Sequence, residues 1–574
     1  MQRNRFLRPL SLVLVALVLL TSETLLVTQS EGTGPSPIGA SPTASLTDPA
    51  SLNASPSAAP TPVPTLLPTM GIVWHFDVIV YGGTPSGVIA ATAAARAGAS
   101  VALLEPSQHL GGMIASGLGR TDILLAYKSL VGGLTAKFFS QTDAHYRGNR
   151  TAVGLSWYVE PHVAEEIFWE MAAGAGVTVF YNENLAADAG VVVERGRIVD
   201  AITETGEHFM GRVYIDASYQ GDLMAQAGVT FTVGRESSAT YGEPLAGVRP
   251  VNTTSTWMVS AVDKSGALLP GVSSQPLAAP GSGDDAVMAY SYRVCLSSDP
   301  SNQVGFAAPA GYDRARYALL QAWIDRHFSP PDLSSILVLA QLPNHKADVS
   351  GHTLFATDDP GAIRSYANAS YEQRRTIAAE IYAFDAGLLY YLSHDPAVPD
   401  SIAAQMRSWG LCKDEFTDND NWPPLLYVRE ARRLVGEYVM TQADVQTTTT
   451  KPDSIGLGSY RIDSHAVQIV DVNGNAYGEG IIAAATRPYQ IPYRSLIPQA
   501  GQVANLIVTV DVSASHVAWS SLRMEPQFMI MGEAGGTAAA LALTSGGNVR
   551  AVDVSALQKR LRTAGAILAD PKHR

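Results

Sequence analysis

Gly82-Gly83-Thr84-Pro85-Ser86-Gly87 is the first run whose residue types and spacing could do chemistry. Glycine at its first position permits a tight turn, and glycine at its last lets the next helix pack closely on the preceding strand. A helix starting there offers free N–H groups and a partial positive charge, which suits a pyrophosphate. Thr84 replaces the middle glycine of G-x-G-x-x-G, so the backbone meets a phosphate less closely, although the hydroxyl is itself a donor. Glu105 comes 18 residues after Gly87, near the ~20-residue spacing of a carboxylate that accepts the hydroxyls of an unphosphorylated ribose. For proton transfer the candidates are His516, His345 and His465, with Arg429 and Arg523 for anions.

These residues need a frame. The apolar, β-branched run 76–81 reads as a buried parallel strand, 86–97 as an Ala-rich helix stopped by Gly98, and 100–104 as a second strand. Strand, turn, helix, strand and terminal acid in register predict a dinucleotide-binding βαβ unit. Strand patterns recur at 176–181, through 191–215 with a turn at Arg195-Gly196, and at 504–510. A helix is expected over 527–544, with Pro526 at a first helical position and small residues for close packing on the βαβ unit.

The tract after Glu105 narrows the choice of nucleotide. The pair Gly111-Gly112, then Met113, gives backbone room beside an extended cofactor, and the tract resembles glutathione-reductase-like FAD proteins. The segment 213–222 is similar to the one that returns the flavoprotein chain to its cofactor, through Asp216 and through Asp222, which caps the helix 223–227 or holds a ribityl hydroxyl. The helix after Glu525 would aim its dipole at the flavin N1/C2 end. No second dinucleotide motif is visible for NADH, so oxygen, a quinone or a partner protein stays open as electron acceptor. His109, beside the glycine pair, could in principle carry a covalent flavin.

The runs GGTPSG, HLGGM, EPHVAEEIF, DASYQGDLM, NHKADVSG, YVREARRLVGEYVMT, IDSHAVQIV, IPYRSLIP and SASH…SLRMEPQFMIMGEAGGTAA resemble the bacterial FAD-dependent oxidoreductase family of heterodisulfide-reductase-A-like flavoproteins, many of which carry a "xanthan lyase" label. The resemblance spans nearly all of 72–545. It implies an α/β fold with a glutathione-reductase-like FAD-binding Rossmann domain split in sequence, FAD as cofactor and redox chemistry. The expected FAD-binding parts are 71–235 and 451–550, an α+β substrate or cap region fills 236–450, and a tail helix occupies 551–574.

Composition bounds the rest. The 574 residues are 46% hydrophobic, 16% charged and carry a net charge of −13. That allows a large core and argues against broad nucleic-acid binding. Two cysteines, Cys295 and Cys412, exclude a Cys-rich zinc site or an iron–sulfur cluster and form one bridge or none; no metal site is expected. Arg3, Arg5 and Arg8 precede the apolar run 10–20, as in an export signal, so residues 1–30 read as a signal peptide or signal anchor, with 9–27 as a possible membrane tether. Residues 31–69 hold nine prolines and no Lys or Arg, a spacer composition.

Within the motifs, His516 is the first candidate, placed in a loop where it can face the flavin. Arg429, Arg432 and Arg433 are expected on one face of a helix within 427–441, a solvated basic face or an anion anchor. The expected function is that of an exported oxidoreductase taking a hydride from a small polar substrate, a carbohydrate for example, to flavin N5. The alternatives are a polysaccharide lyase or a noncatalytic binding protein that retains the fold.

Overall fold

The computed structural model describes residues 71–121, 125–147, 157–252, 258–327, 332–361 and 363–573. The expected signal or anchor and the spacer lie outside them. Among the described residues no helix is long and apolar enough to cross a membrane.

The run VWHFDVIVY forms β1 (Val73–Tyr81), and its second half is buried on both faces, as a central parallel strand requires. Then come α1 (Pro85–Arg96) and β2 (Val101–Glu105), paired in parallel with β1 from Val78↔Val101 to Tyr81↔Leu104. With β3 (Thr178–Tyr181), β4 (Val191–Glu194), β5 (Arg197–Ile202) and β6 (His208–Asp216) the sheet order is β3-β2-β1-β6-β5-β4. The strand Leu506–Val508 returns from the far end of the chain to pair in parallel with the last residues of β6.

The helix Glu525–Ala542 lies against α1, and glycine makes this possible. A Cβ at Gly532 would sit 2.3 Å from the Ser86 carbonyl oxygen, and one at Gly536 would sit 2.0 Å from that of Ala90. Ser86 Oγ donates to the Phe528 carbonyl at 2.8 Å, joining the two helices. So the small residues expected to allow close packing do so, and this helix start lies at the carboxyl edge of the sheet.

Other sheets build the walls around that edge. Five antiparallel strands run in the order Gln303–Val304, Gly410–Cys412, Cys295–Ser297, Lys346–Gly351, Leu337–Gln341. Cys295 and Cys412 form a disulfide within this sheet, which decides between the two expected states. Beneath it Lys346, fully buried, meets Glu160 at 2.8 Å and Glu415 at 2.6 Å. Glu160, His162 and Glu415 bring ligand-type atoms within 4.8 Å of one another, and the Lys346 ammonium pairs with both acids. The long helix Tyr371–His394 opens with a capping box of Ser370 and Gln373.

One expected element is different. The segment 427–441 is extended rather than helical, with Arg432–Leu434 pairing antiparallel to Phe231–Val233. Strand alternation sends its arginines to opposite sides. Arg432 goes to Asp222, and Arg433 goes to Glu430 and Glu236. The shared basic face therefore does not exist, because carboxylates on both flanks hold the chain extended. Within the expected α+β cap region, the described part of 250–262 contains the short strand Val259–Ser260, and residues 253–257 lie outside the described residues.

Candidate functional site

Gly82 takes φ +97°, the left-handed turn that puts the start of α1 at the end of β1. A Cβ on Gly87 would lie 1.9 Å from the Gly82 carbonyl oxygen, so the close helix approach requires glycine. Thr84 caps α1: its Oγ1 accepts from Gly87 N–H at 3.1 Å and donates to the Ala217 carbonyl at 2.8 Å. The hydroxyl is thus spent within the fold. Pro85 opens the helix, and Glu105, buried, accepts from Gly83 N–H at 2.7 Å and from Ser107 N–H at 2.7 Å. Gly111 N–H donates to the Gly83 carbonyl at 2.7 Å, which holds the second glycine pair against the first.

Next to Gly112 stands Tyr219, whose hydroxyl accepts from Met113 N–H at 2.9 Å and donates to Glu525 Oε1 at 2.6 Å. Burial pushes the Glu525 carboxyl up to about 8, so it is mostly protonated at neutral pH. Its Oε2 has no partner among the described residues, and neither carboxylate oxygen of Asp511 has one. Asp511 comes just after the strand Leu506–Val508 and is fully buried, and burial pushes its carboxyl well above the usual range. Asp511 is absent from the residues expected on sequence grounds; its signal was an acid directly after an apolar strand.

Two cofactor candidates are placed otherwise than expected. Asp222 neither caps its helix, where Gly221 is the N-cap, nor stands free for a ribityl hydroxyl. It is locked by Arg374 at 2.6 Å and Arg432 at 2.7 Å. Asp216, pushed up to about 6 by burial, turns the chain after β6 by accepting from Ser218 and Met224. His109 has Glu165 at 3.2 Å on Nδ1 and Asp418 at 3.0 Å on Nε2, so both ring nitrogens are engaged within the protein.

A cavity of about 330 Å³ opens beside the start of the helix Glu525–Ala542. Its lining includes Met524, Glu525 and Pro526, together with His465, His352, Asp358, Asp463, Tyr427 and the arginines Arg120, Arg293, Arg429, Arg461 and Arg523. His465 Nδ1 is 2.6 Å from Asp358 Oδ2, and Arg429 Nη2 is 3.0 Å from Asp358 Oδ1. Burial works to raise Asp358, yet Arg429 and His465 outweigh it and hold the carboxyl well below the usual range. Burial, and then the Arg429 charge, lower His465 below the ordinary imidazole value. The result is a neutral imidazole whose Nδ1 proton is held by an anion, leaving Nε2 to accept. Arg523 donates to the Tyr427 hydroxyl at 3.0 Å and the Asp463 carbonyl at 2.9 Å.

The histidines thus change rank. His516 begins the helix His516–Leu522, is fully buried and does not line the cavity; its Nδ1 meets Glu430 at 2.9 Å and its Nε2 meets Ser464 at 3.3 Å. His345 is exposed at a hairpin tip with φ +61°. Asp358 escapes sequence reasoning because Thr357-Asp358-Asp359-Pro360 looks like any polar turn.

A sheet whose β3-β2-β1-β6 core is parallel, a glycine turn at a helix start, an acid ending β2 and a small-residue helix crossing that turn define a Rossmann-type flavoprotein. The donor set fits FAD: the first turn of α1 suits the pyrophosphate, Glu105 the ribose, and the unpartnered Asp511 and Glu525 oxygens suit hydroxyl or ring N–H groups. The chain belongs to the FAD dependent oxidoreductase family, whose family model matches residues 77–561, and FAD is its cofactor. The narrower heterodisulfide-reductase-A-like placement and the lyase label have no support in that match.

No curated protein matches the chain. Among solved structures, a geranylgeranyl bacteriochlorophyll reductase-like protein from Thermoplasma acidophilum is 12% identical over 86% of this chain and 85% of its own, with a TM-score of 0.34. A myxobacterial chondrochloren halogenase is 20% identical over 28% of this chain and 41% of its own, TM-score 0.22. Thioredoxin reductase from T. acidophilum is 17% identical over 25% of this chain and 34% of its own, TM-score 0.17. The chain spans only 36% and 41% of the first two solved structures it matches, and similarity this low says nothing about substrate.

Proposed function

We propose that this oxidoreductase oxidises a hydroxyl group of a small polar substrate in the cavity, with His465 as the base. The observation that carries this reading is the His465–Asp358 pair facing the cavity beside the start of the helix Glu525–Ala542. FAD, when bound, supplies a two-electron acceptor. The protein's own part is the proton. As the carbon–hydrogen bond gives up its electron pair, the hydroxyl proton passes to His465 Nε2, and Asp358 stabilises the imidazolium that forms. Arg429 fixes Asp358, so the imidazole keeps one tautomer and one orientation. Asp511 and Glu525 are the residues we assign to the cofactor beyond the glycine turn.

We also propose export. The cationic, apolar N-terminus supports it, and so does the Cys295–Cys412 disulfide, since such bonds persist in oxidising compartments. A carbohydrate remains one substrate of the right polarity and size.

Anaerobic mixing of the FAD-loaded protein with hydroxyl compounds tests the reaction. The expected result is bleaching of the oxidised-flavin band by at least one compound. His465→Asn, which keeps a donor for Asp358 but has no base, should slow that bleaching about 10²–10⁴-fold with FAD retained. An undiminished rate in that variant refutes the role given to His465.

A further inference from the structure

The cavity has the opposite charge to the protein. Across the chain, acidic side chains outnumber Lys and Arg 52 to 39. Among the cavity's lining residues, the five arginines (Arg120, Arg293, Arg429, Arg461 and Arg523) face three acids, Asp358, Asp463 and Glu525, and Arg293 is already matched by the buried Asp348 behind the lining at 2.7 Å. Those acids are already divided. Asp358 serves both Arg429 at 3.0 Å and His465 at 2.6 Å. Asp463 meets Arg461 at 2.9 Å and lies 3.5 Å from Arg523. Glu525 is mostly protonated at neutral pH.

Arg523 is the informative member. Its side chain is 4% exposed, its close acceptors are the neutral oxygens of Tyr427 and of the Asp463 backbone, the Asp463 carboxylate stands back at 3.5 Å, and its Nε has no hydrogen-bond partner among the described residues. A guanidinium taken out of water normally has a carboxylate at hydrogen-bond distance, because desolvation is otherwise uncompensated. A ligand carboxylate in the cavity supplies that anion, and the planar guanidinium suits its two oxygens.

Building on the oxidation at His465, we propose that the substrate is a small hydroxy acid: its carboxylate is held by Arg523 with help from Arg461, and its hydroxyl is presented to His465. Two recognition points in a cavity of about 330 Å³ fix both the position and the orientation of such a molecule.

The test uses the FAD-loaded full chain and two matched pairs: lactate against 1,2-propanediol, and gluconate against glucitol. Within each pair a carboxylate replaces a neutral carbon end. Binding is read from the flavin absorbance change and from protection against thermal unfolding, so it needs no turnover. The expected result is saturable binding of at least one acid, weaker as salt rises and at least about tenfold tighter than its neutral partner.

Arg523→Gln should weaken that acid about 10²-fold while the flavin content stays at one per chain. Arg461→Gln, at a site 59% exposed and so safe for folding, should weaken it several-fold and leave the neutral compound unchanged. The proposal is overturned if neither acid binds, if each neutral partner binds as well as its acid, or if Arg523→Gln loses flavin rather than acid affinity. Acids that bind without bleaching the flavin keep the carboxylate site and refute the oxidation. Neutral compounds that bleach the flavin and bind as tightly as the acids do the reverse.

Discussion

Replacing Glu525 by Gln changes how stability depends on pH by an amount the structure sets. Glu525 is buried at the start of the helix Glu525–Ala542, accepts one hydrogen bond from Tyr219, and has its carboxyl pushed from the ordinary 4.5 up to about 8. In the unfolded chain it ionises near 4.5. Its stabilising contribution is therefore complete below the lower of these two values and is lost as pH rises through the upper one. Each pH unit in that window is worth about 1.4 kcal/mol, so between about pH 5 and 8 the wild type should lose about 4 kcal/mol that the variant does not.

For a folded body of roughly 500 residues the unfolding entropy is about 1 kcal/mol per degree, so this corresponds to ~4 °C in Tm. The amide oxygen still accepts from Tyr219. Any constant cost of the new N–H groups cancels when two pH values are compared, and every other buried acid titrates alike in both proteins. The assay is a pair of thermal melts, at about pH 5 and about pH 8, for each flavin-stripped protein, and variant minus wild-type Tm should rise by about 4 °C between them. A difference that stays flat, or that falls with pH, would refute a Glu525 held neutral by burial.

Four further outcomes are expected from the geometry. Gly87→Ala places a Cβ 1.9 Å from the Gly82 carbonyl and should abolish FAD retention, read from the flavin absorbance of purified protein; Gly536→Ala, 2.0 Å from the Ala90 carbonyl, should cost about 1–3 kcal/mol in denaturant titration. Lys346→Met leaves Glu160 and Glu415 buried without their cation, and a loss of about 3–5 kcal/mol is expected at neutral pH; an unchanged midpoint would show that the charge cluster contributes little. Cys295→Ser with Cys412→Ser opens a bridge that spans 117 residues and should cost about 2–5 kcal/mol, while a reductant lowers the wild-type melting temperature and leaves the double variant unchanged.

The βαβ opening was legible because every cue in it is local: the apolar run of β1, the glycine turn, the alanines of α1 and the acid that ends β2. The helix after Glu525 was legible for the same reason, through Pro526 and its small residues. The stretch around Arg429–Arg433 misled because its charges fall at helical spacing. Its strand state depends on Phe231–Val233 and on Asp222 and Glu236, about 200 residues earlier. His465 ranked low because nothing near it in sequence marks Asp358, which lies 107 residues away.

The resemblance of the chain's motifs to known flavoproteins points to FAD; local sequence is enough to place the glycine turn, the acid that ends β2 and the crossing helix. These depend on backbone conformation and periodicity, which neighbouring residues encode. Only the folded chain settles which side chains share the cavity: that His465 and not His516 lines it, that Asp222 is locked by two arginines, and that Glu525 is held neutral. Those outcomes depend on burial and on charges brought together from distant segments, and no local pattern carries that information.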